Sequence, residues 1–376
     1  MNHHPLWSHS LAERLSMLRP GTVRIAYLYP KPDFGTFRYR CFNPVQALAA
    51  HNTDISAAYF FYSDLKIVED LSDFADVLVA VRTPFDARID QLFRRFTNQG
   101  KRVMFDIDDL VFDTRFAPLV ASNLGYLLEE EELNQWTAFI ANIGIAMSRT
   151  SGVTTTNQFL ASRISEHVDV PVHVIPNTFN IAQREASDAL AQKNPREGQG
   201  LRIGYFSGSH SHSQDFDIAA GALSHYLGEF SDASLLIAGH LEIPPALEPY
   251  HRRISRLPFM DFVEMQKVLH SVDLNIVPLQ DSPFTHSKSD LKFFEAALVE
   301  TPTLASRGPV FAHAISPGVT GFLASRVEWE DALSLIHNLP AEELSEMGNR
   351  ARSYALEHYS PQALVDSLTH VLGKEL

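Results

Sequence analysis

The sequence predicts an α/β protein built from two doubly wound domains. Three observations lead there. Short apolar runs of strand length alternate with helical patterns along nearly the whole chain, which is the rhythm of a parallel sheet covered on both faces. The rhythm lapses once, over residues 181–200, which hold no strand pattern and end polar and Gly-rich. At 376 residues, the chain is long enough for two domains.

The elements follow in order. Trp7, Leu11, Leu15 and Leu18 form a helical stripe, with Glu13, Arg14 and Arg19 off it. The stripe reads as a helix docked on its own domain, or alternatively as a peripheral foot on a membrane surface. Residues 23–30 read as a strand and 38–50 as a helix. Strands follow at 55–61 and 76–81, a helix at 86–98 and a strand at 102–107. Four glutamates open a long helix over 129–147, where they suit its positive end. A strand at 152–156, a helix at 158–166 and a strand at 172–176 complete the first half. After the lapse the pattern restarts with a strand from Arg202, a helix over 214–227 and a strand at 234–239. An edge strand near Arg256, a helix over 261–270, a strand from Leu274, a helix over 289–299 and a strand from Pro302 follow. A last helix runs from Pro361 to Leu372. The domains are therefore read as 1–180, a linker at 181–200, a second domain at 201–355, and a closing helix within 356–376. In such sheets ligands sit outside the C-terminal ends of the strands, and between two such domains the cleft is the expected site.

Composition narrows the function. Hydrophobic residues make up 45% and charged residues 20%, which fits a globular protein. Lys+Arg 31 against Asp+Glu 45 gives a net charge of −14, which argues against nucleic acid as a partner. An anionic ligand must then meet a local basic cluster. The single cysteine, Cys41, leaves no internal disulfide and suits a reducing, cytoplasmic compartment. No apolar run reaches the length of a spanning helix.

Five segments carry candidate chemistry. In Asp281-SPFTHSKSDLKFFEAALVETPTLAS, Ser287 and Asp290 have capping-box spacing, which predicts a helix start there. Lys288, Lys292 and Glu295 then share a face. Two amines beside a helix N-terminus can neutralise a diphosphate, and a carboxylate further in can accept from vicinal ribose hydroxyls. The plainer reading is a solvated helix with Lys–Glu pairs. In Arg202-IGYFSGSHSHSQDF a strand runs into Gly208 and Ser209, small residues that let backbone N–H groups approach an anion, with a second capping box read at Ser211 and Gln214. His210 and His212 read as solvated loop histidines, because no carboxylate is spaced to join them on a metal. Arg256-LPFMDFVEM offers Met260 and Phe262 for apolar or stacking contacts, or for the core. Lys31-PDFGTFRYR places Gly35 and Thr36 in a loop after the first strand, with Arg38 and Arg40 beyond to meet phosphate or an anionic acceptor, or simply solvent. Val103-MFDIDDLVFD ends a strand with Asp106, Asp108 and Asp109. That pattern is similar to haloacid-dehalogenase phosphohydrolases, in which Asp106 and Asp108 would act beside Mg²⁺, but Asp109-Leu110 departs from their motif. The plain alternative is a turn cap.

The segment around Glu295 resembles the acidic motif of the family 4 (group 1) retaining glycosyltransferases of the GT-B fold, surface-polysaccharide type. That motif reads E-A-x-x-x-G-x-P-x-aliphatic-A-S/T and is matched here by Glu295-Ala296, Thr301-Pro302 and Ala305-Ser306. Gly318-VTGFLA and Asn177 also resemble the family, and the likeness covers most of the chain. Two departures stand out: Ser287 occupies the place of a second glutamate, and Glu300 the place of the motif's small residue. The resemblance implies two Rossmann-like domains, with donor on the C-terminal one and acceptor on the N-terminal one, and a final helix that crosses back. It implies transfer from a nucleotide-diphosphate sugar to a glycan, lipid-linked or other hydroxyl acceptor, with retention, no metal and no further cofactor. On that reading Asp108, Asp109 and Lys288 are the candidate catalytic residues. Gly208, Ser209, Met260, Phe262, Ser287, Lys288, Lys292 and Glu295 bind the donor. Gly35, Thr36 and Arg38 form a loop facing phosphate and acceptor. The rival reading from another class is an inactive scaffold that binds a nucleotide sugar.

Overall fold

The structure is a computed structural model that describes residues 8–19, 21–51, 54–67, 70–123, 129–190, 200–208 and 213–372. The N-terminal half runs α1 (Leu11–Met17), β1 (Val23–Tyr29), α2 (Asn43–Ala50), β2 (Ile55–Phe61), β3 (Val77–Val81), α3 (Ala87–Asn98), β4 (Arg102–Ile107), α4 (Ala117–Asn123), α5 (Glu130–Met147), β5 (Gly152–Thr155), α6 (Gln158–Ser165) and β6 (Val172–Val174). Then come α7 (Ile181–Ala189), β7 (Arg202–Ser207), α8 (Ser213–Glu229), β8 (Ser234–Gly239), β9 (Ile254–Leu257), α9 (Phe262–His270) and β10 (Leu274–Val277). The chain closes with α10 (Pro283–His286), α11 (Leu291–Ala297), β11 (Thr303–Ser306), β12 (Gly321–Ala324), α12 (Trp329–His337), α13 (Ala341–His358) and α14 (Pro361–Leu372).

Two six-stranded sheets result, in the orders β2-β1-β3-β4-β5-β6 and β12-β11-β10-β7-β8-β9. Neighbouring strands run parallel throughout both sheets. Most strands are buried on both faces, so their sequences are continuous apolar runs rather than alternating ones. In the first sheet the strand order reverses between β1 and β3, and in the second between β7 and β10. A crevice opens at each reversal, beyond the C-terminal strand ends.

α1 packs Leu11, Leu15 and Met17 on its own domain's core. Its Arg14 is buried and holds Asp64 through two hydrogen bonds, of 2.6 and 3.1 Å. The docked reading of the stripe therefore holds for the described residues, while Trp7 lies outside them. Among the described residues no helix is long and apolar enough to cross a membrane.

The structure differs from the sequence reading in several places. The segment read as a linker begins with α7, capped by a reciprocal Asn180–Gln183 box; its polar composition hides the helix. α4, α12 and α13 occupy residues to which the sequence reading assigns no element. The helix expected from Ser287 is two short helices. The first is capped by a Ser282–Thr285 box. The second starts after Asp290, whose side chain makes no cap bond. Ser287 instead donates to the Pro283 carbonyl at 2.8 Å, which ends the first helix and leaves Lys288 in the break.

α14 lies against α2, and Leu364, Val365, Leu368, Val371 and Leu372 complete the core over β1, β2 and β3. The C-terminal helix thus packs on the N-terminal sheet.

Candidate active site

The two sheets present their C-terminal strand ends to one cleft of about 660 Å³. Its N-terminal wall starts from Tyr29 at the end of β1, Arg82 after β3, and Asp108 and Asp109 after β4. The loop carrying Asp33, Gly35 and Thr36 and the turn carrying Arg38 and Tyr39 complete it. The C-terminal wall has Phe206 and Ser207 at the end of β7, Gly208 just after it, Gly239 at the end of β8, Met260 before α9 and Phe262 at its start, Lys288 before α11, and Lys292 and Glu295 within α11. Gly239 has φ +94°, and a Cβ there would lie 1.9 Å from the Ser207 carbonyl oxygen. Only glycine allows the two strand ends to close up beside the cleft.

Residues far apart in sequence therefore meet. Of the residues singled out for the donor, Gly208, Met260, Phe262, Lys288, Lys292 and Glu295 line this cleft. Gly35, Thr36, Arg38, Asp108 and Asp109 line it from the other domain. Ser209, like Ser211, His210 and His212, lies outside the described residues. Ser287 does not line the cleft: it is fully buried, and its hydroxyl is committed to the helix it ends.

Arg38 and Tyr39 enter from a π-helical turn, Arg38–Phe42, just before α2. Such turns widen a helix locally and recur at functional sites. The Arg38 guanidinium lies between two rings, 4.2 Å from the Tyr39 centroid and 4.5 Å from that of Phe262. Its Nη2 donates to Glu295 Oε1 at 3.0 Å, and the Tyr39 hydroxyl donates to the same oxygen at 2.5 Å. Gln183 Nε2 reaches it at 3.3 Å. Burial, with this carboxylate beside it, holds the Tyr39 hydroxyl well above its ordinary pKa. Glu295 is thus a buried acceptor rather than a solvated partner of the lysines.

Lys288 pairs across the cleft with Asp109 at 3.0 Å and sits 3.9 Å above the Phe284 ring. Burial raises the Asp109 carboxyl, but Lys288 and Arg82 outweigh it and leave the group below its usual range. Asp108 goes the other way. Burial raises it, Arg82 opposes, and Asp109 adds to the rise. The Thr36 hydroxyl donates to Asp108 at 2.7 Å. Lys292 is half-buried, 5.3 Å from the Tyr205 centroid, and makes no ion pair among the described residues. Burial lowers its pKa to about 8, against the pull of Asp215 and Glu295.

Sequence reasoning missed Arg82, Tyr39 and Gln183. Arg82 lies 3.4 Å from Asp108 and 3.9 Å from Asp109, and donates to Thr36 at 3.0 Å. Its φ of +43° places a non-glycine residue in the left-handed region, a strain that concentrates at functional sites. A basic residue directly after an apolar strand was the signal available. Gln183 gave none, because it sits in the segment read as a linker.

Asp106, the would-be hydrolase nucleophile, is 3% exposed. Arg40 holds both its oxygens, at 2.9 and 2.6 Å, and the Thr154 hydroxyl adds a third bond at 2.6 Å. Arg40 also donates to Asn177 at 3.1 Å, and Asn177 in turn donates to Ser289 of the other domain at 3.0 Å. Asp106 therefore anchors the domain frame and offers no free oxygen to a phosphoester, so the phosphohydrolase alternative is corrected. Arg40, one of two arginines read as facing phosphate, is consumed by the same network.

No curated protein sequence matches the chain. Residues 201–339 match the family model described as glycosyl transferases group 1. Among solved structures, HepE of Anabaena in complex with UDP aligns at TM-score 0.61 and 14% identity, over 93% of this chain and 100% of that one. Sucrose-phosphate synthase from Thermosynechococcus elongatus aligns at TM-score 0.59 and 12% identity, over 94% and 98%. TarM, of which an S. aureus mutant structure also matches, aligns at TM-score 0.56 and 14% identity, over 82% of this chain and 56% of that one. The chain has the two-domain GT-B glycosyltransferase fold, and its C-terminal domain carries the match to glycosyl transferases group 1.

Proposed function

We propose that the protein is a retaining glycosyltransferase that moves a sugar from a nucleoside-diphosphate sugar to a hydroxyl of a glycan or lipid-linked acceptor, in polysaccharide or glycoconjugate synthesis. The observation that carries this reading is the single cleft in which Glu295, Lys288 and Lys292 face Thr36, Asp108 and Asp109. HepE, a structural neighbour, has been solved with UDP and glucose. By analogy of fold, the C-terminal wall takes the donor and the N-terminal wall the acceptor.

Lys292 carries most of the charge that meets the diphosphate, because Lys288 already has Asp109 as a partner. In the step itself the bond from the sugar's anomeric carbon to the diphosphate oxygen breaks. A bond to the acceptor oxygen forms on the same face, and the acceptor proton leaves on the departing phosphate. Lys292 stabilises charge that grows as the leaving group departs, so it acts more on the transition state than on the bound substrate.

A thermal-shift screen of nucleoside-diphosphate sugars tests the reading. A true donor at 100 times its dissociation constant adds about 2.7 kcal/mol of apparent stability. Release of free nucleoside diphosphate from that donor then separates an enzyme from an inactive scaffold. Binding without any turnover, with or without added acceptor, would favour the scaffold.

A further inference from the structure

Arg38 is a buried cation with donors to spare. Only 5% of the residue is exposed. One nitrogen, Nη2, serves Glu295 and the Tyr39 hydroxyl. Nε and Nη1 are buried and have no hydrogen-bond partner among the described residues. Buried donors are rarely left unpaired, so such a group calls for an explanation. Arg38 lines the cleft at the place where the walls of the two domains meet, stacked on Phe262 of the opposite domain.

Glu295 shows the complementary pattern. All three of its hydrogen bonds arrive at Oε1. Its second oxygen, Oε2, accepts none among the described residues. A carboxylate fixed through one oxygen presents the other in a defined direction, as a preorganised acceptor does.

We propose that Arg38 is a nucleotide-recognition residue lent by the N-terminal domain. It orients Glu295 so that Oε2 accepts from a ribose hydroxyl, and it gives Nε and Nη1 to oxygens of the same nucleotide. The nucleoside site is then built from both domains and is complete only when they meet. This inference rests on the donor reading given above. It adds to that reading a contact from the wall assigned to the acceptor. An arginine suits the task because its planar fork can stack on Phe262 while its edge donates in several directions; a lysine ammonium cannot do both.

Calorimetric titration of the wild-type protein with UDP, GDP and ADP identifies the tightest of the three probes. With that probe, Arg38→Met and Glu295→Gln should each weaken binding about tenfold or more, a change of about 1.4 kcal/mol. The double variant should lose little beyond the worse single one, because the two side chains act as a unit. Arg38→Lys keeps the charge beside Glu295. It should recover most of the melting temperature without recovering the affinity, which distinguishes recognition from a structural clasp and serves if Arg38→Met fails to fold. The inference is overturned if Arg38→Lys binds the probe as tightly as wild type, or if the losses in the double variant simply add. Loss of binding in Glu295→Gln with binding intact in the Arg38 variants overturns this inference alone. A wild-type protein that binds none of the three probes overturns the donor reading together with it.

Discussion

At Lys292 the cleft keeps an ammonium that makes no ion pair among the described residues, although Asp215 and Glu295 act on it from a distance. Burial lowers its pKa to about 8. The charged form is the one that would meet a diphosphate, and it is present below that pH. Donor affinity should therefore hold near pH 7 and fall as pH rises through about 8 to 9. Lys292→Met should weaken donor binding at pH 7 and flatten this pH dependence. Removing one electrostatic contact in a closed site costs about 2.7–4 kcal/mol of barrier, so turnover should fall about 100-fold or more. Calorimetry and initial rates on either side of the lysine's pKa check both parts. An unchanged pH profile in the variant would move the diphosphate elsewhere. Lys288 keeps its place in the cleft, but its pair with Asp109 makes it the weaker candidate.

Among the elements, α11 is short, and its end is held under strain. Glu300 follows it with φ +60°, where a Cβ is disfavoured. The motif that this segment resembles has a small residue at that place. Arg352 of α13 holds the turn by donating to the Leu298 carbonyl and by pairing with Asp188 of α7. Glu300→Gly should raise stability, by up to about 1 kcal/mol, because it relieves the left-handed strain; chemical denaturation reads the change. α14 makes a second case. Leu368 is 3% exposed and packs into the N-terminal core although it lies at the far end of the chain. Leu368→Ala should cost about 2–5 kcal/mol. Hydrogen exchange should place the loosening in β1, β2 and β3 of the first sheet. A loss confined to the C-terminal sheet would contradict the packing.

For the whole molecule, the cleft works as a joint surface. Arg38 with Glu295 and Lys288 with Asp109 cross from one domain to the other. If donor and acceptor tasks are divided between the walls, Asp109→Asn should leave nucleotide binding unchanged in calorimetry and lower transfer about tenfold or more, which is about 1.4 kcal/mol of barrier. Abolished donor binding in that variant would reverse the assignment of walls. If lysines supply the positive charge that meets the diphosphate, EDTA should leave transfer intact; activity lost to chelation and restored by Mg²⁺ or Mn²⁺ would refute this. Much of the architecture follows from the sequence alone, because strands buried on both faces must be written as runs such as Val77 to Val81, and covering helices as amphipathic patterns between them. The same logic points to strand ends, where Gly208 and Asp108 follow β7 and β4, whereas Thr36 and Glu295 stand out through the resemblance to group 1 glycosyltransferases. Helices α12 and α13 carry amphipathic patterns of their own, with Trp329, Leu333 and Ile336 buried on one and Leu344, Met347 and Ala351 on the other; they escape a reading built on alternation because no strand separates them. What only the tertiary structure decided is which charge meets which. Arg40 and Asp106 are 66 residues apart and Arg38 and Glu295 are 257 apart. Nothing local in a sequence records such pairs, because they form only when distant strands and turns, in the second case from two separate sheets, are brought face to face.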